Sequence, residues 1–216
     1  MENYTRNLPH WQPADSIFFV TFRLTHSLPK NTLDELLAER ERAEKDLRFR
    51  LKGDRLSHER YILNKKLFVK YDAWLDQCLA ESPRWLAQDD VARIVMQEIQ
   101  QLDGERYRLL AFCIMPNHVH LLVDMHNFNQ IAITNQAGAS RFYPLTDALR
   151  LLKGRTARYC NQFLGRTGAF WHHESYDHVV RDGLELERIC SYILENPLKA
   201  DLVRDACSWP YTVIRV

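Results

Sequence analysis

Met115-Pro116-Asn117-His118-Val119-His120-Leu121-Leu122-Val123 sets two histidines two residues apart inside a run that otherwise reads as a buried strand. The strand period puts His118, His120 and Leu122 on one face, and Asn117, Val119, Leu121 and Val123 on the other. The apolar face belongs to a core, so the histidine face must look at something else. Two rises separate the imidazole roots by roughly 6.6 Å. Rings so spaced can lean onto a single ion, and imidazole is the commonest nitrogen ligand of divalent metals. A bare His-x-His recurs by chance and more often marks two structural histidines. Residues downstream reverse that balance.

The 216 residues suit one domain, or one domain with a large insertion. An apolar share of 46% and an aromatic share of 11% are ample for a packed core. The net charge of +1 does not advertise a polyanion partner, so any nucleic-acid surface must be local. Five widely spaced cysteines (Cys78, Cys113, Cys160, Cys190, Cys207) form no CxxC, which argues against a disulfide framework or a zinc knuckle. That pattern, and a polar start without an apolar leader, fit the cytoplasm. No apolar run approaches the length of a membrane span, so no membrane partner is expected.

Residues 1–15 read as irregular, punctuated by Pro9 and Pro13, and 16–24 as a strand. A charged helix is expected over 33–53 with Gly53 at its end, then a helix over 57–80 with Tyr61, Phe68, Tyr71, Trp74 and Leu75 among its packing residues. The whole of 30–86 reads as a charged helical insertion on a smaller core, its charge run a solvated face. A helix over about 87–102, with Asp89 or Asp90 as candidate cap, leads to a strand over 106–114 that pairs antiparallel with the histidine strand. Residues 126–143 read as loop and 144–163 as helix. The segment 176–182 is a short strand or linker. A helix over 184–196 is stopped by Pro197, and 212–214 forms a final edge strand.

Two further patterns carry chemistry. From Arg141 to Arg181 there are seven Lys/Arg against three acidic residues, interleaved with aromatics. Cations for phosphates beside flat faces for bases suit single-stranded nucleic acid, with Lys153, Arg155, Arg158, Trp171, His172 and Arg181 as candidate contacts. On the 184–196 helix, Tyr192 and Asn196 lie four apart on one stripe. An amide oxygen is an acceptable ligand beside two imidazoles. A phenol one turn away could attack a phosphate held there and conserve its bond energy in a phosphotyrosine.

Five blocks occur in a recognisable order: MPNHVHLLV (115–123), LKGRTARYCNQ (152–162), FWHHESYDHVVRD (170–182), YILENPLKADLV (192–203) and SWPYTV (208–213). Together they resemble the single-tyrosine HUH transposases, in particular the REP-associated tyrosine transposase branch. The resemblance spans 17–24 and most of 88–213. It implies an α/β (α+β) ferredoxin-like or RRM-like sandwich with a central antiparallel sheet. It implies that His118, His120 and Asn196 hold Mg²⁺ or Mn²⁺ and that Tyr192 is the nucleophile. The activity implied is nicking and joining of single-stranded DNA at hairpin-forming repeats, through a 5′-phosphotyrosine link and a free 3′-OH. The partner would be nucleoid-associated hairpin DNA, with monomer and homodimer both open. Two rival readings stand beside it: a metal phosphoesterase that uses water, with Tyr192 structural, and a non-catalytic nucleic-acid-binding domain on the same fold.

Overall fold

The computed structural model describes Pro13, residues 15–128 and residues 144–216. The expectations for the irregular start and for most of the 126–143 loop lie outside the described residues. Five strands, β1 (Ile17–Leu24), β2 (Arg108–Ile114), β3 (His118–Asp124), β4 (Trp171–Val180) and β5 (Thr212–Ile214), form one sheet in the order β4-β1-β3-β2-β5. Every neighbouring pair is antiparallel. Five helices accompany them: α1 (Lys30–Arg50), α2 (Gly53–Gln77), α3 (Asp89–Gln101), α4 (Pro144–Phe163) and α5 (Gly183–Lys199). Four strands in the order 4-1-3-2, with helical connections from β1 to β2 and from β3 to β4, make the α+β ferredoxin-like sandwich; β5 extends its β2 edge.

Period 2 decides which helices lie where. Phe18, Val20, Phe22 and Leu24 of β1 and Val119, Leu121 and Val123 of β3 share a buried cluster with Val91, Val95 and Ile99 of α3 and Leu145, Leu149 and Leu152 of α4. The opposite face carries Phe19, Cys113 and Leu122. It packs against Phe68 of α2 and Ile193 of α5. A register shift between Leu109 and Ala111 lets β2 send two successive residues, Leu110 and Ala111, to this second face. The histidine face is thus not turned to solvent. It is the floor of a second core layer roofed by α2 and α5.

Several boundaries differ from the sequence expectation. α1 ends at Arg50, because Leu51 and Lys52 are extended and Gly53 turns the chain with φ +60° as α2 begins. Asp89 and Asp90 lie inside the first turn of α3, where they face its positive end, and Gln88 precedes the helix without a side-chain cap. Pro197 does not stop α5, which runs to Lys199 with the Ala200 N–H donating to the Asn196 carbonyl. A proline near the end of a helix forfeits only its own N–H bond, and the following turn closes around it. β4 begins at Trp171, five residues ahead of the expected strand. Asn117 precedes β3, and its amide reaches α2 beside the histidines rather than joining the apolar face.

The charged 30–86 stretch does more than decorate a smaller core. Phe68 stands edge-on to Phe19 (ring centroids 5.3 Å apart) and Tyr192 (6.1 Å), and packs on Tyr176 (4.5 Å). Leu67, Tyr71 and Leu75 of α2 form a further buried cluster with Leu28 and Leu36. Phe68→Ala should therefore lower global stability by about 3–5 kcal/mol in chemical denaturation, the range for a deleted core phenylalanine. A main unfolding transition that stayed in place would mean α2 is a detached appendage.

Candidate metal centre

His118 and His120 emerge from β3 in the middle of the sheet and are fully buried. Their Nε2 atoms are 3.0 Å apart. The outer nitrogens are held: His118 Nδ1 lies 2.7 Å from Asn117 Oδ1 and His120 Nδ1 lies 2.8 Å from Thr21 Oγ1. The Asn117 amide nitrogen donates to the Leu75 carbonyl at 2.9 Å and to Ser82 Oγ at 3.2 Å. Its oxygen is therefore an acceptor, which assigns the His118 proton to Nδ1 and leaves a lone pair on Nε2. A side-chain partner that fixes the outer nitrogen of a ligating imidazole is a common second layer of metal sites.

A third group completes the arrangement. Asp72, from α2, places Oδ1 3.3 Å from His120 Nε2 and 3.9 Å from His118 Nε2. Among the described residues these three form the one cluster whose ligand atoms converge as a metal site requires. Ligands bound about 2.0–2.2 Å from one ion at right angles to tetrahedral angles stand roughly 2.8–3.6 Å from each other. The His118–His120 and His120–Asp72 edges, 3.0 and 3.3 Å, fall within that range, and the His118–Asp72 edge, 3.9 Å, lies just beyond it. Asp72 Oδ1 and Asn196 Oδ1 are buried without a hydrogen-bond partner. A buried carboxylate oxygen left without a partner beside two imidazole nitrogens is costly unless a proton or a cation joins them. The residues present therefore fit a divalent ion.

The surroundings keep both imidazoles neutral. Burial pushes His118 down to about 3 and holds His120 well below its ordinary value, with His118 adding to the effect. Burial raises Asp72 to about 8, reinforced by Asp76 one turn on, while the Asn196 amide and Lys199 pull the other way. The Tyr192 hydroxyl donates to Asp72 Oδ2, and the Tyr192 ring stands 5.5 Å from the His120 ring. Tyr192, Asn196, His118 and His120 thus all stand around Asp72.

The sequence reading missed Asp72. Its signal was faint: a carboxylate at i+4 from Phe68, where the apolar stripe of α2 calls for a hydrophobe. The expected nucleic-acid contacts do not converge on one surface. Lys153 Nζ donates to the His172 and His173 carbonyls at 2.7 and 3.0 Å, tying α4 to β4, and lines a groove of about 380 Å³ with His172. Burial lowers His172 to about 3, helped by Arg23. Trp171 borders this groove but is buried, its indole N–H donating to Thr156. Arg155 pairs with Glu98 at 2.8 Å, beside Arg158 on an outer face of α4. Arg181 lies elsewhere, flat on Tyr61.

Sheet order and site together define a ferredoxin-like sandwich with a buried His-x-His and carboxylate centre and a tyrosine alongside. A Haemophilus influenzae protein, provisionally named a REP-associated tyrosine transposase, is 28% identical over 108 residues, which are 49% of this chain and 58% of that protein. The chain spans a little over half the length of that relative. The solved structure of a REP-associated tyrosine transposase bound to a REP hairpin superposes with a TM-score of 0.53 at 13% identity, covering 98% of this chain and 82% of that one. This second likeness carries the fold. No family model matches the chain. A relationship to the REP-associated tyrosine transposases follows from the sequence match in the half of the chain that it covers.

Below about 8 the Asp72 carboxyl carries a proton that an arriving cation must displace, whereas the imidazoles are already unprotonated. Mn²⁺ affinity, read by calorimetry, should rise close to tenfold per unit from about pH 6 to about pH 8 and then level off. Asp72→Asn should bind more weakly, with no such rise. A flat profile in the unsubstituted protein would remove Asp72 from the ligand set.

Proposed function

We propose that the chain is a metal-dependent single-strand DNA endonuclease and strand transferase of the transposase kind, with Tyr192 as nucleophile. The observation that carries this reading is the Tyr192 hydroxyl bonded to Asp72 within the pocket that holds His118 and His120. Tyrosine is a weak nucleophile at its ordinary pKa near 10 and needs a base to take its proton. Asp72 Oδ2 already accepts that hydrogen bond. Tyr192 Oη attacks phosphorus, the bond from phosphorus to the 3′ oxygen breaks, and the phenol proton passes through Asp72 to the departing 3′ oxygen. The products are a 5′-phosphotyrosine and a free 3′-OH, so rejoining is the same step reversed.

His118, His120 and Asp72 would hold Mg²⁺ or Mn²⁺, with Asn196 as a further oxygen donor. Two imidazoles favour manganese over magnesium, which prefers oxygen ligands. Bound there, the ion supplies Lewis-acid polarisation of the scissile phosphate. Asn117 keeps the His118 lone pair turned inward, and Thr21 anchors the outer nitrogen of His120. Tyr192 and Asn196 share one helix, so nucleophile and amide move as one body. The substrate in this reading is hairpin-forming repeat DNA in the cytoplasm, with Lys153, His172 and Arg158 on the α4 side as accessory contacts.

Tyr192→Phe should bind Mn²⁺ and a labelled single-stranded hairpin oligonucleotide normally yet form no covalent adduct on a denaturing gel. The change removes one hydroxyl and keeps the ring, so packing survives. Mass spectrometry of the trimmed adduct from the unsubstituted protein should place the nucleotide on Tyr192. A nucleotide on Tyr159 or Tyr176 would overturn the assignment. Cleavage by Tyr192→Phe would instead favour a water-using phosphoesterase.

A further inference from the structure

The other end of α5 carries a second polar construction. Between the N-terminal half of α2 and the end of β4 lies a groove of about 400 Å³, lined by Arg60, Tyr61, Tyr176, Asp177, His178 and Arg181 among others, one carboxylate beside two guanidiniums. Beneath it, Glu185 is buried. Glu185 Oε1 accepts from the Tyr61 hydroxyl, from Lys65 Nζ at 3.1 Å and lies 3.2 Å from His178 Nε2. Glu185 Oε2 accepts the Arg181 backbone N–H at 3.0 Å. One carboxylate therefore fixes both a ring and the chain that carries an arginine.

The arginine uses that ring. The Arg181 guanidinium carbon stands 3.5 Å from the Tyr61 centroid, with the His178 ring 5.5 Å from the same centroid. Stacking on an aromatic face fixes the guanidinium plane and leaves its edge of N–H donors available. No carboxylate lies within 4.0 Å of the Arg181 side chain among the described residues, whereas Lys65 is neutralised by Glu185. Arg60 reaches Glu44 at only 3.7 Å, and its Nε is buried without a hydrogen-bond partner. Two guanidiniums with unspent donors beside one groove suit a tetrahedral oxyanion, which they can grip with paired hydrogen bonds.

Its place relative to the metal centre gives the anion an identity. Glu185 and Tyr192 sit on one helix, seven residues apart, which is about 10 Å along the axis. We propose that this groove holds a backbone phosphate of the DNA strand, within a few nucleotides of the linkage at Tyr192, with Arg181 and Arg60 as its ligands. The identity of the strand rests on the nuclease reading; the anion site itself does not.

The test uses the full chain in a Tyr192→Phe background, so that DNA is bound but not consumed. Binding of a fluorescent single-stranded hairpin oligonucleotide is followed across a salt series with Mn²⁺ present. Adding Arg60→Ala and Arg181→Ala should weaken binding and reduce the salt slope by about 0.7, the value for one single-strand phosphate. Arg181→Lys on its own should keep the slope. A neutral methylphosphonate, moved one linkage at a time away from the cleavage point, should at one position weaken binding to the parent protein and cost the double-alanine variant nothing more. Inorganic phosphate at millimolar concentration should not displace the strand. An unchanged slope, or no neutral linkage that the variant masks, would overturn the proposal, as would displacement by free phosphate. A Tyr192-containing protein that never forms adduct, but whose slope still depends on the two arginines, would retain the phosphate groove and discard the nucleophile.

Discussion

Two imidazole nitrogens and a carboxylate oxygen meet beneath a helix, withdrawn from water. Most of the surrounding structure keeps those acceptors where they are. Asn117 and Thr21 hold the outer nitrogens, and the Asn117 amide also ties β3 to the Leu75 carbonyl of α2. Phe19 stacks on His120 at 5.5 Å, and Phe68 closes over Phe19. A polar cluster inside an apolar layer is costly unless every member is satisfied. A cation is the partner that satisfies all of them together.

Much of this was legible in the sequence because it depends on local periodicity. Alternation in 17–24 and 118–124 gave the strands and the face on which each histidine lies. The i,i+4 spacing of Tyr192 and Asn196 put both on one stripe, and the bounds of α4 follow from Pro144 and its apolar repeat. Asp72 was not legible, since its role exists only when α2 docks on β3, and no local rule couples residues so far apart in the chain. Trp171 was misplaced for a related reason. It sits where a strand begins, next to two histidines and a glutamate, and only the pairing of Leu24 with Trp171 shows that its indole faces inward. Pro197 shows the limit of a strong local rule: near a helix end, losing one N–H bond does not end the helix.

α5 links the candidate metal centre to the groove beside Arg181. Asp182 caps it, accepting from the Glu185 N–H at 2.8 Å, and Glu185 then gathers Tyr61, Lys65 and the Arg181 backbone at its first turn. Two turns on, the same helix presents Tyr192 and Asn196. Both ends also face α2, through Tyr61 at one end and Asp72 at the other. The pair α2 and α5 therefore behaves as a single frame, and its second strut comes from the charged stretch that the sequence set apart from the core.

The roof over the histidines has a kinetic consequence. His118 and His120 are sealed at 0% exposure, so a ligand from solvent can reach them only during excursions in which the helices above loosen from the sheet. Apparent affinity then equals intrinsic affinity scaled by the fraction of time the roof is open. Substitutions in this seam, at Phe68 above all, would change that fraction along with overall stability. The hydrophobic seam beneath α2 is in this sense a timer, and its packing sets how often the centre opens.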